Sequence, residues 1–258
     1  MNPGTSIYTV QSVNAAFEIL ELVSEQQVQT DVAHLAAKIG MTHNKAFRLL
    51  ATLTENGLLE RDTVSGCYQL GYGSVSLAQK MLRHSSVINL AHPVMEILAR
   101  KHDEAVYMTV IKGDEVLFLD MVDCEQQIKA TSMVGSKFPF FSNAAGKVIK
   151  ALESRELIEK LLAKKQSKQK NMPDPAKLAS ELMEIRSNGG VAVDYDGLGE
   201  GISSVAVAVK DYAGKVIGAI TLLAPSFRML QERIEEEIIP SLIEAAALIS
   251  GKLGYTPV

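Results

Sequence analysis

The feature that most constrains how this chain folds is a pair of short amphipathic segments separated by only a few residues. In "TDVAHLAAKIG" apolar side chains recur at helical spacing, Thr30 or Asp31 can cap the start, and Gly40 can end the helix. Thr42 is then a plausible cap for "HNKAFRLLATLTENG", in which the apolar positions again share one face. A turn of about three residues containing glycine is the spacing of a helix-turn-helix. The residues predicted to face inward are Val32, Leu35, Ala36 and Ile39, then Ala46, Leu49, Leu50 and Leu53.

The segments on either side complete a winged version of this motif. Upstream, "SVNAAFEILELVSE" predicts a helix with Ser12 as its N-cap. Downstream, "LLER" and "CYQL" flank the polar turn "DTVSG", which predicts a short β-hairpin. Three helices followed by a hairpin predict a winged helix-turn-helix domain over residues 1–73. The stripe predicted to be buried on the first helix is Val13, Ala16, Phe17, Leu20 and Val23.

The remainder of the chain predicts an α+β domain. Residues 74–90, "SVSLAQKMLRHSSVINL", have a broken helical period typical of a connecting helix that pairs with a partner, and Pro93 is expected near the start of the next helix. Beyond this, "AVYMTVI" with "VLFLDMV", and "SSVAVAVK" with "KVIGAITLL", predict two hairpins. Hairpins grouped with helices favour an antiparallel sheet over residues 91–258. The predicted helices are "NAAGKVIKAL", "RELIEKLLAKK", "AKLASELMEIRSN" and "RMLQERIEEEIIPSLIEAAALISGKL".

Composition and motifs give no positive sign of a metal site, a nucleotide site or a catalytic site. The two cysteines and five histidines show no metal-ligand spacing, so neither a metal nor a cofactor is expected. "AAGKV" lacks the upstream glycine and the following hydroxyl of a phosphate loop, and no HExxH or GxSxG sequence is present. No basic apolar leader or membrane-length apolar run occurs, so a cytoplasmic protein without a membrane partner is expected. An enzyme is not expected, although a triad of distant residues stays open.

The solvent-facing side of the second helix of the motif predicts contact with double-stranded DNA. Asn can pair with adenine, Arg with guanine, and an apolar group with the thymine methyl, and Asn44, Arg48 and Phe47 supply one of each. At the helix N-terminus, amides and a positive dipole end suit phosphate. The candidate DNA contacts are Thr42, His43, Asn44, Lys45, Phe47, Arg48 and, at the base of the wing, Arg61. An ordinary polar face with Phe47 packed on a neighbour is the alternative.

Local charge opposes this interpretation. Residues 1–75 carry four cations against seven anions, and non-specific DNA affinity grows with the number of phosphates neutralised. One copy of the domain should therefore bind weakly, and an oligomer presenting two or more copies is expected. The same acidic balance leaves open a winged helix used for protein interaction.

Several stretches together resemble the IclR family of bacterial transcription regulators. The N-terminal ones are "SVNAAFEIL", "LAAKIGM", "RLLATLTENGLLER" and "YQLG"; the more specific C-terminal ones are "FPFFSNAAGKVIKAL", "IRSNGGVAVDYD" and "GISSVAVAVKDYAGKVIGAITLLAP". The resemblance implies a GAF-like effector domain, a dimerising linker helix, and dimers or dimers of dimers. Where the family often has Pro-x-Ser-Thr this chain has residues 42–45, "THNK", so the operator sequence cannot be carried over.

The resemblance also implies a cleft for a small organic acid. Carried over by position, the effector-binding residues are Ala144, Ala145, Asp194, Ser204, Thr221 and Leu223, and Phe140 beside the loop is added as a further candidate. Leu223 replaces a hydroxyl of relatives that bind glyoxylate-like acids, and Phe140 and Phe141 add aromatic rings. We therefore expect a larger, less polar acid, aromatic or branched. The alternatives are that Asp194 caps a strand, that the two Phe side chains are core, and that Gly146 and Lys147 only allow close packing. At the level of the whole chain, the rival is a small-molecule-processing enzyme with an appended winged helix.

Overall fold

A computed structural model of the chain describes residues 9–25, 30–83, 85–153 and 173–256. The predicted helix "RELIEKLLAKK" lies outside these residues. The chain divides into two compact units, residues 1–85 and residues 86–258. No helix in the described ranges is long and apolar enough to cross a membrane.

The N-terminal unit is a three-helix domain with a two-stranded wing. The helices are α1 (Gln11–Ser24), α2 (Val32–Ile39) and α3 (His43–Glu55). The wing strands are β1 (Leu59–Arg61) and β2 (Tyr68–Leu70), paired antiparallel, and α4 (Tyr72–Arg83) follows. The predicted helix-turn-helix and wing are confirmed.

The turn between α2 and α3 is defined by its end residues. The Asp31 carboxylate accepts hydrogen bonds from the Ala33 amide at 2.8 Å and the His34 amide at 3.0 Å, which caps α2. Gly40 ends α2 at φ 70°, a left-handed conformation that glycine adopts without strain. Thr42 is the N-cap residue of α3 by position, but its side chain makes no capping hydrogen bond. The start of α3 therefore keeps amides available to other groups.

A small apolar core holds these elements together, and it corrects one prediction. The predicted inward faces of α2 and α3 are buried or half-buried. On α1, Val23 of the predicted stripe is buried and Ala16 and Leu20 are half-buried, but Val13 and Phe17 are 50% and 63% exposed, and the core includes Ile19 instead. Helical period alone therefore gave only part of the face of α1 that packs inward. The fully buried residues of this core include Ile19, Leu35, Leu50 and Leu59.

Residues 74–90, predicted as one connecting helix, lie on two. α4 ends at Arg83 and α5 (Ser86–His102) begins three residues later. Pro93 lies inside α5 rather than near its start. Proline removes one amide donor from a helix interior, and the helix continues there with Val94, Met95 and Leu98 packed in the C-terminal core.

The C-terminal unit contains a six-stranded antiparallel sheet. Its order is β5-β4-β3-β8-β7-β6, so the two predicted hairpins, β3–β4 and β7–β8, join along β3 and β8. Its outer strands β5 and β6 were not predicted from the sequence. The strands are β3 (Ala105–Lys112), β4 (Glu115–Val122), β5 (Lys137–Pro139), β6 (Val191–Tyr195), β7 (Ile202–Lys210) and β8 (Val216–Pro225).

Helices cover both faces of this sheet. One face packs against α5 and the C-terminal helical segment, formed by α8 (Gln231–Arg233), a π-helical turn (Ile234–Ile238) and α9 (Ile239–Lys252). The other packs against α6 (Ala144–Glu153) and α7 (Pro175–Ser187). The predicted α+β class, with an antiparallel sheet flanked by helices, is confirmed.

Candidate DNA-binding face and effector site

The solvent side of α3 carries every candidate DNA contact predicted on that helix. Thr42, His43, Asn44, Lys45 and Arg48 are exposed, and the Phe47 ring is 48% exposed instead of packed into the core. Ala46, Leu50 and Leu53 are buried on the opposite side, so the helix is anchored by one face and presents the other. Amide, guanidinium and aromatic groups are thus displayed together on a rigid element.

The start of α3 and the wing lie at the ends of this face. Within the described residues, the amides of His43, Asn44 and Lys45 have no capping acceptor and donate no hydrogen bond, so they point out of the helix start. Arg61 in β1 donates from Nε to the Gly66 carbonyl at 3.3 Å and lies over the Tyr68 ring. Its position on the wing is therefore fixed, with its remaining N–H groups available.

The candidate effector residues of the sheet lie on the face covered by α6. Asp194 of β6 is paired in register with Ser204 of β7, and Ser204 with Leu223 of β8. Thr221 lies two residues before Leu223 and so on the same face of β8. All four are at least nine-tenths buried. The fold thus brings together residues from three neighbouring strands, the grouping that the family resemblance implies.

The N-terminus of α6 lies against this face with unused donors. Ala144 and Ala145 are fully buried, and in the described part of the chain their amides have no hydrogen-bond acceptor. The next amide, of Gly146, donates to Asn143 Oδ1 at 2.8 Å. A buried helix start with unsatisfied amides suits an anion. Gly146 has a packing role as well, because a Cβ there would lie 2.2 Å from the Phe140 carbonyl oxygen.

A buried ion pair joins α6 to the sheet. Lys147 Nζ lies 2.5 Å from Asp194 Oδ2 and 2.8 Å from Glu181 Oε1 of α7. The other Asp194 oxygen, Oδ1, accepts a hydrogen bond from the Gly197 amide at 3.0 Å. The Lys147 and Asp194 side chains are only 11% and 7% exposed. Asp194 therefore holds a lysine and a loop in place, beyond the strand-capping role considered above.

The pKa values of this pair follow from its burial and charge. Burial raises the pKa of the Asp194 carboxyl above its ordinary value, although the Lys147 ammonium works against the increase. Burial opposes the charged form of Lys147 too, but the carboxylates of Asp194 and Glu181 outweigh it and raise the pKa of the ammonium. Lys147 is therefore a charged group at neutral pH, and it offsets one of the two negative charges it contacts.

Three buried hydroxyls on the same face lack hydrogen-bond partners within the described residues. They belong to Ser204, Thr221 and Tyr107. Tyr107 in β3 pairs directly with Thr221 across the strands and is fully buried. Buried hydroxyls without partners are costly, so such a cluster marks a place where another molecule can complete the bonding.

The aromatic residues predicted beside the site belong to its apolar wall. Phe140 is buried and Phe141 half-buried, and their rings meet edge to face at 5.6 Å between centroids. Phe140 and Leu223 belong to the same apolar cluster as Ala144 and Ala145. The sequence reasoning missed Tyr107 altogether and gave Lys147 only a packing role. An alternating strand with one aromatic among small residues, "AVYMTV", was the available signal for Tyr107.

The fold is that of a winged helix-turn-helix protein with a second, α+β domain, an architecture that transcription regulators use. The family model described as "IclR helix-turn-helix domain" matches residues 12–63, and "Bacterial transcriptional regulator IclR C-terminal" matches residues 79–251. The chain belongs to the IclR family of DNA-binding transcription regulators.

Individual relatives agree with this assignment over nearly the whole chain. The HTH-type transcriptional regulator KdgR of Escherichia coli is 26% identical over 96% of this chain and 94% of its own length. The crystal structure of the Thermotoga maritima IclR is 30% identical, with a TM-score of 0.72 over 95% of this chain and 99% of that one. An IclR homolog from Microbacterium hydrocarbonoxydans, crystallised with 4-hydroxybenzoate, shares the fold at 22% identity and a TM-score of 0.78, covering 94% and 99%.

Proposed function

We propose that this regulator binds its operator through the exposed face of α3, with Asn44, Phe47 and Arg48 reading bases in the major groove. The observation that carries this proposal is the anchoring of α3 by a buried face while amide, guanidinium and ring groups remain in solvent. The uncapped amides at the helix start, with Thr42, His43 and Lys45 beside them, bind phosphate. Arg61 contacts the adjacent backbone from the wing.

The acidic balance of the N-terminal domain favours an oligomer as the binding unit. Few phosphates can be neutralised per copy, so a dimer or dimer of dimers is needed to supply useful affinity. Two recognition helices on one face of DNA engage half-sites one turn, about 34 Å, apart. The regulator acts on DNA in the bacterial cytoplasm and does not process its ligand.

The effector we propose is a small organic acid bound between α6 and the sheet. Its carboxylate accepts hydrogen bonds from the amides of Ala144 and Ala145, which are buried and otherwise unsatisfied. An anion beside Asp194 would ordinarily be repelled, but Lys147 lies 2.5 Å from that carboxylate and offsets its charge, while Glu181, the other carboxylate on Lys147, is 36% exposed and screened by water. Phe140 and Leu223 supply an apolar wall, which favours an aromatic or branched acid. The complex of the Microbacterium homolog with 4-hydroxybenzoate supports this class.

The effector modulates DNA binding by favouring one placement of the DNA-binding domains over another. We place the coupling in residues 74–90, because they connect the two domains. Only a ligand whose affinity differs between the two arrangements can shift their populations. An acid that binds both equally would leave operator affinity unchanged.

Fluorescence anisotropy with the full-length protein tests the DNA-binding proposal. Fragments from upstream of its own gene and neighbouring operons are titrated at two salt concentrations. Arg48→Ala should lose roughly 1 to 3 kcal/mol of specific binding and relax preference at one base pair. Lys38→Ala is the matched control, since it removes one exposed cation of the same domain from outside α3.

The outcomes separate the alternatives. Equal loss in both variants would show that charge alone matters and would contradict base reading by Arg48. No DNA phenotype in Arg48→Ala, with normal folding, would favour a winged helix used for protein interaction. Consumption of a bound acid on incubation would favour the enzyme alternative.

Isothermal titration calorimetry tests the effector class. A panel of benzoate, 4-hydroxybenzoate, 3-methylbutanoate, glyoxylate and pyruvate is titrated into the protein. We expect heat with the aromatic or branched acids. Heat only with glyoxylate or pyruvate would refute the larger, less polar class.

A further inference from the structure

Tyr107 is a buried donor without an acceptor on the face that carries the effector site. Its side chain is fully buried, and its hydroxyl makes no hydrogen bond within the described ranges. Burial raises the pKa of the phenol, although the nearby Met133 amide works against the increase. The hydroxyl is therefore protonated at neutral pH and has a proton to donate.

The position of Tyr107 relative to the site follows from the strand register. Tyr107 is directly opposite Thr221, whose hydroxyl is also without a partner, and their side chains are cross-strand neighbours. Tyr107 meets Phe118 edge to face, at 5.2 Å between centroids, which fixes the orientation of its ring. Tyr107 and Phe118 share an apolar cluster with Ala144, Ala145 and Phe140. A phenol held rigidly there is preorganised for a bound molecule.

We infer that Tyr107 is a specificity residue for the effector and that its hydroxyl donates to a second oxygen of the acid. This inference rests on the proposed effector site. The carboxylate of the acid accepts hydrogen bonds from the amides of Ala144 and Ala145. Its second oxygen, in a hydroxyl or carbonyl group, accepts a hydrogen bond from the Tyr107 hydroxyl of β3. An acid with the second oxygen gains this hydrogen bond and an analogue without it does not, so a hydroxyl that is unpaired in the free protein discriminates between the two. The effector class is thus a hydroxy or oxo acid with an apolar body.

Tyr107→Phe tests this inference in two independent measurements. Calorimetry compares pairs of acids that differ in one oxygen: 4-hydroxybenzoate with benzoate, and 3-methyl-2-oxobutanoate with 3-methylbutanoate. For the wild type, the oxygen-bearing member should bind more tightly. In Tyr107→Phe its affinity should fall roughly 3- to 10-fold, the value of one hydrogen bond, while the other member is unchanged. Tyr212→Phe, at an exposed turn, is the matched control.

Thermal unfolding without ligand distinguishes a binding role from a structural one. A hydroxyl without a partner adds nothing to the free protein, so Tyr107→Phe should unfold at the same temperature as the wild type or higher. A lower melting temperature would show that the hydroxyl has a structural partner and would overturn the inference. Acids that bind the wild type and Tyr107→Phe equally would overturn it too, leaving the proposed function intact. If no acid of either pair bound to the wild type, both the proposed effector class and the role of Tyr107 would be refuted.

Discussion

Replacing Lys147 by methionine is expected to destabilise the C-terminal domain by leaving Asp194 buried and unpaired. The two side chains are 11% and 7% exposed and their charged atoms are 2.5 Å apart. Removing one partner of a buried ion pair costs about 3 to 5 kcal/mol. Glu181, the second carboxylate on Lys147, is 36% exposed and can rehydrate, so we expect a value near the lower end, about 3 kcal/mol.

The loss of stability in Lys147→Met should depend on pH, and the protonation of Asp194 determines its direction. Burial already raises the pKa of its carboxyl, and loss of the ammonium raises it further. In the variant the folded state then binds more protons than the unfolded state, so stability falls as the pH rises above the ordinary value of 3.8. The difference from wild type should be larger at pH 7.5 than at pH 5.

Urea unfolding followed by far-ultraviolet circular dichroism measures this effect, since the chain has no tryptophan. The two units require a fit with separate transitions. Lys177→Met, at an exposed position of α7, is the control. Adding Asp194→Asn to the Lys147→Met variant removes the stranded charge and should restore part of the stability at pH 7.5. Unfolding of Lys147→Met like the control, or a double variant no more stable than the single one, would show that Asp194 is not left as an uncompensated buried charge.

Two further substitutions have effects that follow from local geometry. Asp31→Ala removes the side-chain cap of α2 and should cost about 1 kcal/mol in the N-terminal unfolding transition. Hydrogen bonds from backbone amides lower the pKa of Asp31, so this contribution is lost as the pH falls through that lowered value; an unchanged transition at neutral pH would contradict the capping role. Glu104→Gln should cost about 3 kcal/mol or more in the C-terminal transition, because Glu104 is 1% exposed between Arg228 and Arg233. Wild-type stability in this variant would show that the arginines are satisfied without the charge.

The sequence predicted well those parts of the fold whose signals are local. The turn between α2 and α3 follows from a cap at Asp31 and a left-handed glycine at Gly40, both readable within a few residues. The hairpins β3–β4 and β7–β8 follow from alternating strands around tight turns. Strands β5 and β6 were missed because they are short and at the sheet edges, where pairing with a distant neighbour decides the structure.

Tertiary packing explains the remaining differences between the helices predicted from the sequence and those in the structure. On α1, Val13 and Phe17 continue the helical period but are exposed, while the core combines Val23 of the predicted stripe with the neighbouring Ala15 and Ile19. Helical period indicates an apolar stripe but does not determine which edge of it packs inward. Pro93 marks a helix start in most contexts, but α5 extends seven residues before it because its apolar face packs on the sheet.

The chemistry of the effector face depends on contacts that no local pattern contains. Lys147 and Asp194 are 47 residues apart in the chain, and only the packing of α6 on β6 brings them together. Considered alone, a buried Asp194 argues against an acidic ligand, because two negative charges in a poorly solvated site repel each other. With Lys147 paired to it, the charge of Asp194 is offset, and the second carboxylate on Lys147, that of Glu181, is 36% exposed and hydrated, so the unsatisfied amides of Ala144 and Ala145 become available as donors for an anion. The proposed acidic ligand therefore depends on the ion pair, which in the sequence is visible only as two separate residues.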